Sequence, residues 1–204
     1  MGKGKLLVIS GPSGTGKGTI CNKLFSEMEN IVFSISMTTR KPREGEVHGV
    51  NYFFVDKPAF EEMISENGFL EYAQVFENYY GTPKKMVMDK LNAGIEVILE
   101  IDVQGAMQVK EVYPEAVLIF ILPPSLEELR NRIVGRGTET EDVINLRLGE
   151  AFNEINYVKQ YDYAVVNDVL DDAVETVKAI IKTEKTRVVK EEIVKVIEKY
   201  REEF

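Results

Sequence analysis

Gly11-Pro12-Ser13-Gly14-Thr15-Gly16-Lys17-Gly18-Thr19 constrains the fold of this chain more than any other stretch. It follows the apolar run Leu6-Leu7-Val8-Ile9 and precedes Ile20, Cys21, Leu24, Phe25 and Met28, which recur at helical spacing. That pattern predicts a strand buried on both faces, a glycine turn and an amphipathic helix. Glycines let several backbone N–H groups point inward at one anion. The helix N-terminus adds partial positive charge, and Lys17 adds a full one. G-x-x-x-x-G-K between a strand and a helix is therefore expected to cradle the phosphates of a nucleoside triphosphate. The hydroxyl residue that usually follows the lysine and ligates Mg²⁺ is replaced by Gly18, with Thr19 one place later. Any Mg²⁺ is then expected to be held mostly by phosphates and water, in keeping with its reluctance to dehydrate.

With 204 residues the chain suits one domain with inserted lobes. Its net charge of -9 argues against general affinity for nucleic acid or anionic membrane, so phosphate binding must come from local basic clusters. The single cysteine, Cys21, excludes an intrachain disulfide, fits a reducing compartment and reads as core packing. No signal-peptide pattern opens the sequence, and its longest apolar run, Ala116 to Leu122, is too short to span a bilayer. A cytoplasmic protein is expected.

Further along, a strand is expected at Asn30 to Ser34, then a basic, turn-rich segment from Ser36 to Gly45. Short strands at Tyr52–Phe54 and Phe69–Val75 flank a helix that begins near Pro58 and stops at Gly68. Thr82-Pro83 reads as an N-cap with proline in the first turn of a helix ending at Gly94. Val97–Asp102 and Val117–Ile121 are β-branched runs alternating with helices, the signature of a parallel sheet. Ser125-Leu126-Glu127-Glu128 reads as a capping box. Gly135-Arg136-Gly137 reads as a hinge before a helix starting near Thr140; Tyr163–Val166 is the last expected strand. The tail carries Val189, Ile193, Ile197, Tyr200 and Phe204 on one apolar stripe, expected to fold back on the core, with pairing to a second copy as the alternative.

Arg40, Lys41 and Arg43, with Tyr52 and the Tyr79-Tyr80-Gly81-Thr82 run, supply guanidinium forks and neutral donors suited to a second phosphate. His48 is expected to be exposed and without catalytic duty.

The runs Ser36-Met37-Thr38-Thr39-Arg40-Lys41-Pro42-Arg43-Glu44-Gly45-Glu46, Asn51-Tyr52-Phe53-Phe54, Phe69-Leu70-Glu71-Tyr72, Asn78-Tyr79-Tyr80-Gly81-Thr82-Pro83, Glu100-Ile101-Asp102-Val103-Gln104-Gly105, Pro123-Pro124-Ser125 and Arg136-Gly137-Thr138-Glu139-Thr140-Glu141 occur in this order. Together they resemble the guanylate kinase family from about residue 4 to 183. The resemblance implies an α/β P-loop fold, a parallel sheet flanked by helices that carries an inserted GMP-binding lobe and a lid. The domain would span 4–183: core 4–34, 83–124 and 161–183, lobe 35–82 and lid 125–160. An amphipathic helix, 184–204, lies outside it.

The resemblance also implies the residue roles. Gly11 to Thr19, Arg132, Asn167 and Asp168 would bind ATP. Lys17, Arg136 and Arg147 would be catalytic. Arg40, Arg43, Tyr52 and Tyr80 would hold the GMP phosphate, with Ser36, Glu71, Thr82 and Asp102 around the guanine. Guanine offers N1–H and N2–H₂ as donors and O6 as acceptor, so Glu71 would face the donors and hydroxyls would face O6. Glu100 or Asp102 would reach Mg²⁺ through water, and whether Asp102 serves base or metal stays open. The implied reaction moves the γ-phosphoryl of MgATP to GMP, with dGMP a second acceptor. Neither nucleic acid nor membrane is an expected partner, and a monomer is expected over a homodimer. Two alternatives remain: a catalytically silent binding module of this fold, which the intact Gly16-Lys17 argues against, and another small-molecule kinase such as an adenylate kinase, which shares the G-K-G-T ending.

Overall fold

The computed structural model describes residues 3–135, 141–187 and 190–203. In chain order its first elements are β1 (Leu6–Ser10), α1 (Lys17–Glu27), β2 (Ile31–Phe33), β3 (Met37–Thr38), β4 (Phe53–Phe54) and α2 (Lys57–Ser65). Then come β5 (Phe69–Val75), β6 (Asn78–Pro83), α3 (Lys84–Asn92), β7 (Glu96–Glu100), α4 (Val103–Val112) and β8 (Val117–Leu122). The last are α5 (Leu126–Val134), α6 (Glu141–Ile155) with a 3₁₀ turn Asn156–Gln160, β9 (Tyr163–Val166), α7 (Leu170–Glu184) and α8 (Lys190–Glu202).

Strand alternation builds the core. Leu7 and Ile9 of β1 point to one face, where Ile20 and Leu24 of α1 and Val174, Val177 and Ile181 of α7 cover them. Leu6 and Val8 point to the other face, against Val87 and Leu91 of α3 and Ala106 and Val109 of α4. Helices on both faces require apolar residues at every strand position, which explains the unbroken runs of β1 and β8. The strands are parallel, in the order β2-β7-β1-β8-β9. Their carboxyl ends, Ser10, Glu100, Leu122 and Val166, share one edge, where ligands bind in open parallel sheets. Cys21 packs inside the first cluster, and burial pushes its thiol up to about 12.

Residues 37–83 form a second sheet, β4-β3-β6-β5, packed on α2 through Met37, Phe60 and Phe69. Helices α5 and α6 share a separate small core of Leu129, Ile133, Ile144 and Ala151. No described helix is long and apolar enough to cross a membrane.

Several expectations need correction. Thr82 is not an N-cap: it lies in β6, Pro83 occupies the cap position, and the Thr82 hydroxyl donates to Glu71 Oε1 at 2.5 Å. β7 stops at Glu100, because the Asp102 carboxylate accepts from Gly105 N at 2.8 Å and starts α4. Only half of the capping box forms. Ser125 Oγ accepts from Glu128 N at 3.0 Å, whereas Glu128 Oε1 accepts from Arg132 Nε at 2.8 Å. Gly135, with φ of −61°, caps α5 where the helix was expected to end; Arg136 and Gly137 of the expected hinge lie outside the described residues.

The tail does not fold back as expected. Ile193, Ile197 and Tyr200 are 38 %, 44 % and 61 % exposed. Both faces of the central sheet are already covered, by α1 and α7 on one side and α3 and α4 on the other, so α8 is not needed to close either of them. Val189 and Phe204 lie outside the described residues.

Candidate active site

The turn after β1 is built on glycine geometry. Gly11 has φ of +139°, and a Cβ there would lie 2.3 Å from the Ile121 carbonyl oxygen of the neighbouring strand. Gly16, at φ +89°, caps α1, and a Cβ there would meet Asn167 Nδ2 at 2.4 Å. Neither place admits a side chain. Thr15 is fully buried, its hydroxyl donating to Pro12 O at 2.9 Å, while Ser13 and Thr19 are exposed. Lys17 Nζ donates to Gly11 O at 2.5 Å and Pro12 O at 3.0 Å, which places its charge over the loop. Burial lowers its pKa, and the carboxylates of Glu100, Glu154 and Asp102 oppose that shift. Glu154, on the last turn of α6, carries no motif that would mark it in the sequence.

The residues expected on the ATP side converge. Arg132, Asn167 and Asp168 line one cleft of about 320 Å³ with Gly14, Gly16 and Thr19. Asn167 is buried because it is a strut: Nδ2 donates to Thr15 O at 2.8 Å, and its own carbonyl accepts from Arg132 at 3.0 Å. Arg147 is half-buried on α6.

The second sheet meets the core at α4, where Leu70 of β5 packs with Ala106 and Val109. Glu71 of β5 is 8 % exposed, and burial raises its pKa, with the Thr82 hydroxyl pulling the other way and the nearby Asp102 charge adding to the rise. Gly105 explains how Glu71 approaches α4. A Cβ there would stand 3.3 Å from Glu71 Oε2 and 3.5 Å from Asp102 Oδ1. Ser36 is half-buried and passes its carbonyl to Phe53 N at 2.9 Å.

Arg40 stacks over the Tyr52 ring at 5.5 Å, and the Tyr52 and Tyr80 rings meet edge-on at 6.1 Å. Its fork is bidentate to Glu46, at 2.8 and 3.0 Å, and Glu46 also accepts from Arg43 N at 2.7 Å. Arg40 holds the Glu46 carboxyl down to about 2. Sequence reasoning assigned Glu46 no role, although an acid six residues after an arginine in a turn is a candidate to fix it. Arg43 is exposed, as is His48, whose Nδ1 accepts from Phe54 N at 3.2 Å.

Glu100 has the chemistry for a water-mediated Mg²⁺ contact. It ends β7 beside Lys17, and its oxygens lie 3.5 and 3.6 Å from where a Cβ on Gly18 would stand. Burial raises its pKa and Lys17 lowers it. Asp102 already spends one oxygen on the cap of α4.

A glycine loop and lysine at the carboxyl edge of a parallel sheet, facing a second sheet with a buried acid, define a P-loop phosphotransferase. The family model described as "Guanylate kinase" matches residues 3–184. The chain is 60 % identical to the guanylate kinase of Clostridium tetani over 92 % of this chain and 90 % of that protein. It is 56 % identical to the guanylate kinase of Clostridioides difficile over 99 % of this chain and 98 % of that protein. Among solved structures, a crystal structure of guanylate kinase from Anaplasma phagocytophilum matches with a TM-score of 0.70 and 37 % identity, covering 92 % of this chain and 89 % of that one. The chain belongs to the guanylate kinase family. It is an ATP-dependent nucleoside monophosphate kinase.

Proposed function

We propose that the protein transfers the γ-phosphoryl of MgATP to GMP, giving ADP and GDP, and accepts dGMP as well. The observation that carries the residue assignment is the place of Asp102. It caps α4 two residues after Glu100, whose oxygens approach Gly18 of the loop, and it shares with Glu71 the space beside Gly105. The ATP loop and the guanine-reading acid thus flank one short turn.

In this reading the N–H groups of residues 11–19 and Lys17 hold the ATP phosphates. Arg132, Asn167 and Asp168 border the adenine. Arg40, Arg43, Tyr52 and Tyr80 take the GMP phosphate, with Glu46 orienting Arg40. Glu71 accepts from guanine N1–H and N2–H₂, and Ser36 and Thr82 meet O6. Adenine, with no proton on N1, would leave Glu71 a buried acceptor facing another acceptor. Asp102 lies on the guanine side, and Glu100 would hold Mg²⁺ through water; the ion supplies charge neutralisation on the phosphates. The acceptor phosphate has a second pKa near ~6 and is already ionised at neutral pH. No general base is required. The obstacle is repulsion between two anions, which Lys17 and the arginines reduce.

Residues 35–82 serve as the GMP lobe and 125–160 as a lid carrying Arg136 and Arg147. Closure excludes water that would otherwise hydrolyse ATP. A single buried cysteine and ATP as substrate fit a cytoplasmic enzyme, with a monomer as the catalytic unit. A coupled assay with GMP, dGMP, AMP, UMP and CMP tests the acceptor: GMP is expected to be preferred by orders of magnitude. Lys17→Ala should lower kcat by about 10³-fold or more while the protein stays folded. More than about a tenth of the activity remaining would refute the loop's role.

A further inference from the structure

The guanine site as proposed above is assembled from two bodies. Gly105 belongs to the core helix α4 and Asp102 caps it, whereas Glu71 and Thr82 belong to the second sheet. Guanine reads a carboxylate by direct hydrogen bonds, so Glu71 must be held to a fraction of an ångström relative to α4. Its own sheet holds Glu71 from one side only, through β6 and the Thr82 hydroxyl on Glu71 Oε1. β5 is the last strand in the order β4-β3-β6-β5, and its ladder to β6 shifts register between Phe69 and Glu71. A bulge of this kind re-aims a side chain and interrupts the ladder where regular pairing would have fixed it. Beside this edge lies a cleft of about 400 Å³, bordered by Ile64, Lys84 and Val112, so the edge is not packed shut there.

Two contacts from α4 flank Glu71. Leu70 is 1 % exposed and sits in the core cluster with Ala106 and Val109 of α4. On the other side, the Gln108 side chain pairs with the main chain of Tyr72: Oε1 accepts from Tyr72 N at 3.1 Å, and Nε2 donates to Tyr72 O at 3.2 Å. The amide therefore acts as one residue of a missing neighbouring strand, satisfying donor and acceptor together. Gln108 follows Gly105 by three positions and shares its helix face. On that face Gly105 gives Glu71 room to approach, and Gln108 grips the strand.

We infer that Gln108 is a positioning residue for base recognition, fixing Glu71 against α4 by holding both main-chain groups of Tyr72. This inference rests on the reading of Glu71 as the guanine acceptor. In this reading Gln108 acts on the base only through Glu71. Its effect is therefore expected in GMP recognition, through Glu71, and not in the phosphoryl transfer or in ATP binding.

Gln108→Met, which keeps length and loses the amide, is the test, alongside Gln108→Glu, Glu71→Gln and the double variant Glu71→Gln/Gln108→Met in the full chain. Steady-state kinetics with GMP and ATP, calorimetric binding of GMP and thermal melting are the readouts. Gln108→Met is expected to raise KM for GMP about tenfold, a cost of about 1.4 kcal/mol for re-ordering Glu71 when the base binds, while the exposed Tyr72 main chain turns to water in the empty protein. Its kcat and ATP KM should stay within about twofold, its melting temperature nearly unchanged. Gln108→Glu, which sets an oxygen against Tyr72 O, should be at least as impaired. In the Glu71→Gln background the Gln108→Met effect on GMP binding should shrink to about twofold or less, because the clamp acts through Glu71. An unchanged GMP KM in Gln108→Met, with Glu71→Gln impaired, would overturn the clamp and leave the Glu71 reading intact. Full additivity, or equal effects on GMP, ATP and melting, would reduce Gln108 to a scaffold contact and also overturn it. Normal GMP kinetics in Glu71→Gln would instead remove the reading beneath it.

Discussion

Asn167→Ala isolates how far the phosphate loop depends on support from outside itself. The Asn167 side chain donates to Thr15 O across 2.8 Å, and both residues are buried, at 6 % and 0 % exposure. Removing the donor leaves the Thr15 carbonyl without that partner in a place that excludes solvent, at a cost of about 1–3 kcal/mol. For a domain of this size each kcal/mol moves the melting temperature by about 2–4 °C, so a central loss near ~2 kcal/mol predicts a fall of about 4–8 °C. Gly16 packs against the same amide, so its removal also loosens the residue that starts α1 and aims Lys17. KM for ATP should therefore rise while KM for GMP changes little. Asn167→Asp keeps the shape but sets a carboxylate against the Thr15 carbonyl and the incoming phosphates; it should be worse than alanine for ATP. Circular dichroism melting without nucleotide and steady-state kinetics measure both effects. A melting point within about 1 °C of the parent with unchanged ATP KM would refute the strut argument.

Three further outcomes are expected. Burial holds the Glu71 pKa above its usual 4.5, so the empty protein gains stability from its neutral form at low pH and loses it as pH rises through the raised value. Guanine needs the anion, so GMP binding should weaken as pH falls through that value. Glu71→Gln should raise GMP KM about 10–100-fold and flatten this dependence, while the titration of the GMP phosphate stays common to both proteins. Gly105→Ala should gain roughly 0.5–1 kcal/mol of helix stability yet raise GMP KM, because its Cβ would crowd Glu71 and Asp102; a melting point that falls with GMP KM unchanged would contradict this. Truncation after Arg187 should leave the melting temperature within a few degrees, since Ile193, Ile197 and Tyr200 lie open; a large drop would mean that α8 is covered after all.

The central sheet was legible because both faces are covered: β1, β7 and β8 had to be continuous apolar runs, and no other element needs that texture. The second sheet was legible only in part. β3 is two residues long, and β6 reads Asn-Tyr-Tyr-Gly-Thr-Pro, with neither alternation nor a β-branched run. The turn from β5 to β6 offers no Asn-Gly or Asp-Gly signal; Phe76 takes the left-handed conformation, φ 54°, at 93 % exposure. Thr82-Pro83 misled because the same pair serves a helix N-terminus or the end of a strand. The residues expected on the ATP side share a cleft, but the buried work of Asn167 and the brace that Glu46 gives Arg40 are long-range or turn contacts that no spacing announces. The tail's stripe was correctly read as apolar. What sequence periodicity lacks is knowledge of whether any face of the core is left to receive it.

Helix α7 starts beside the ATP cleft at Leu170 and ends where Tyr163 Oη donates to buried Glu184 at 2.5 Å and Lys185 reaches buried Glu96 at 2.9 Å. Tyr163 and Glu96 are the first residues of β9 and β7, so the chain leaves the core from the end opposite the nucleotide edge. A surface linker, a reporter or a second enzyme joined after Arg187 in place of the tail would therefore start from the far pole. The protein could be tethered there to a bead or a sensor with its nucleotide cleft still facing solution.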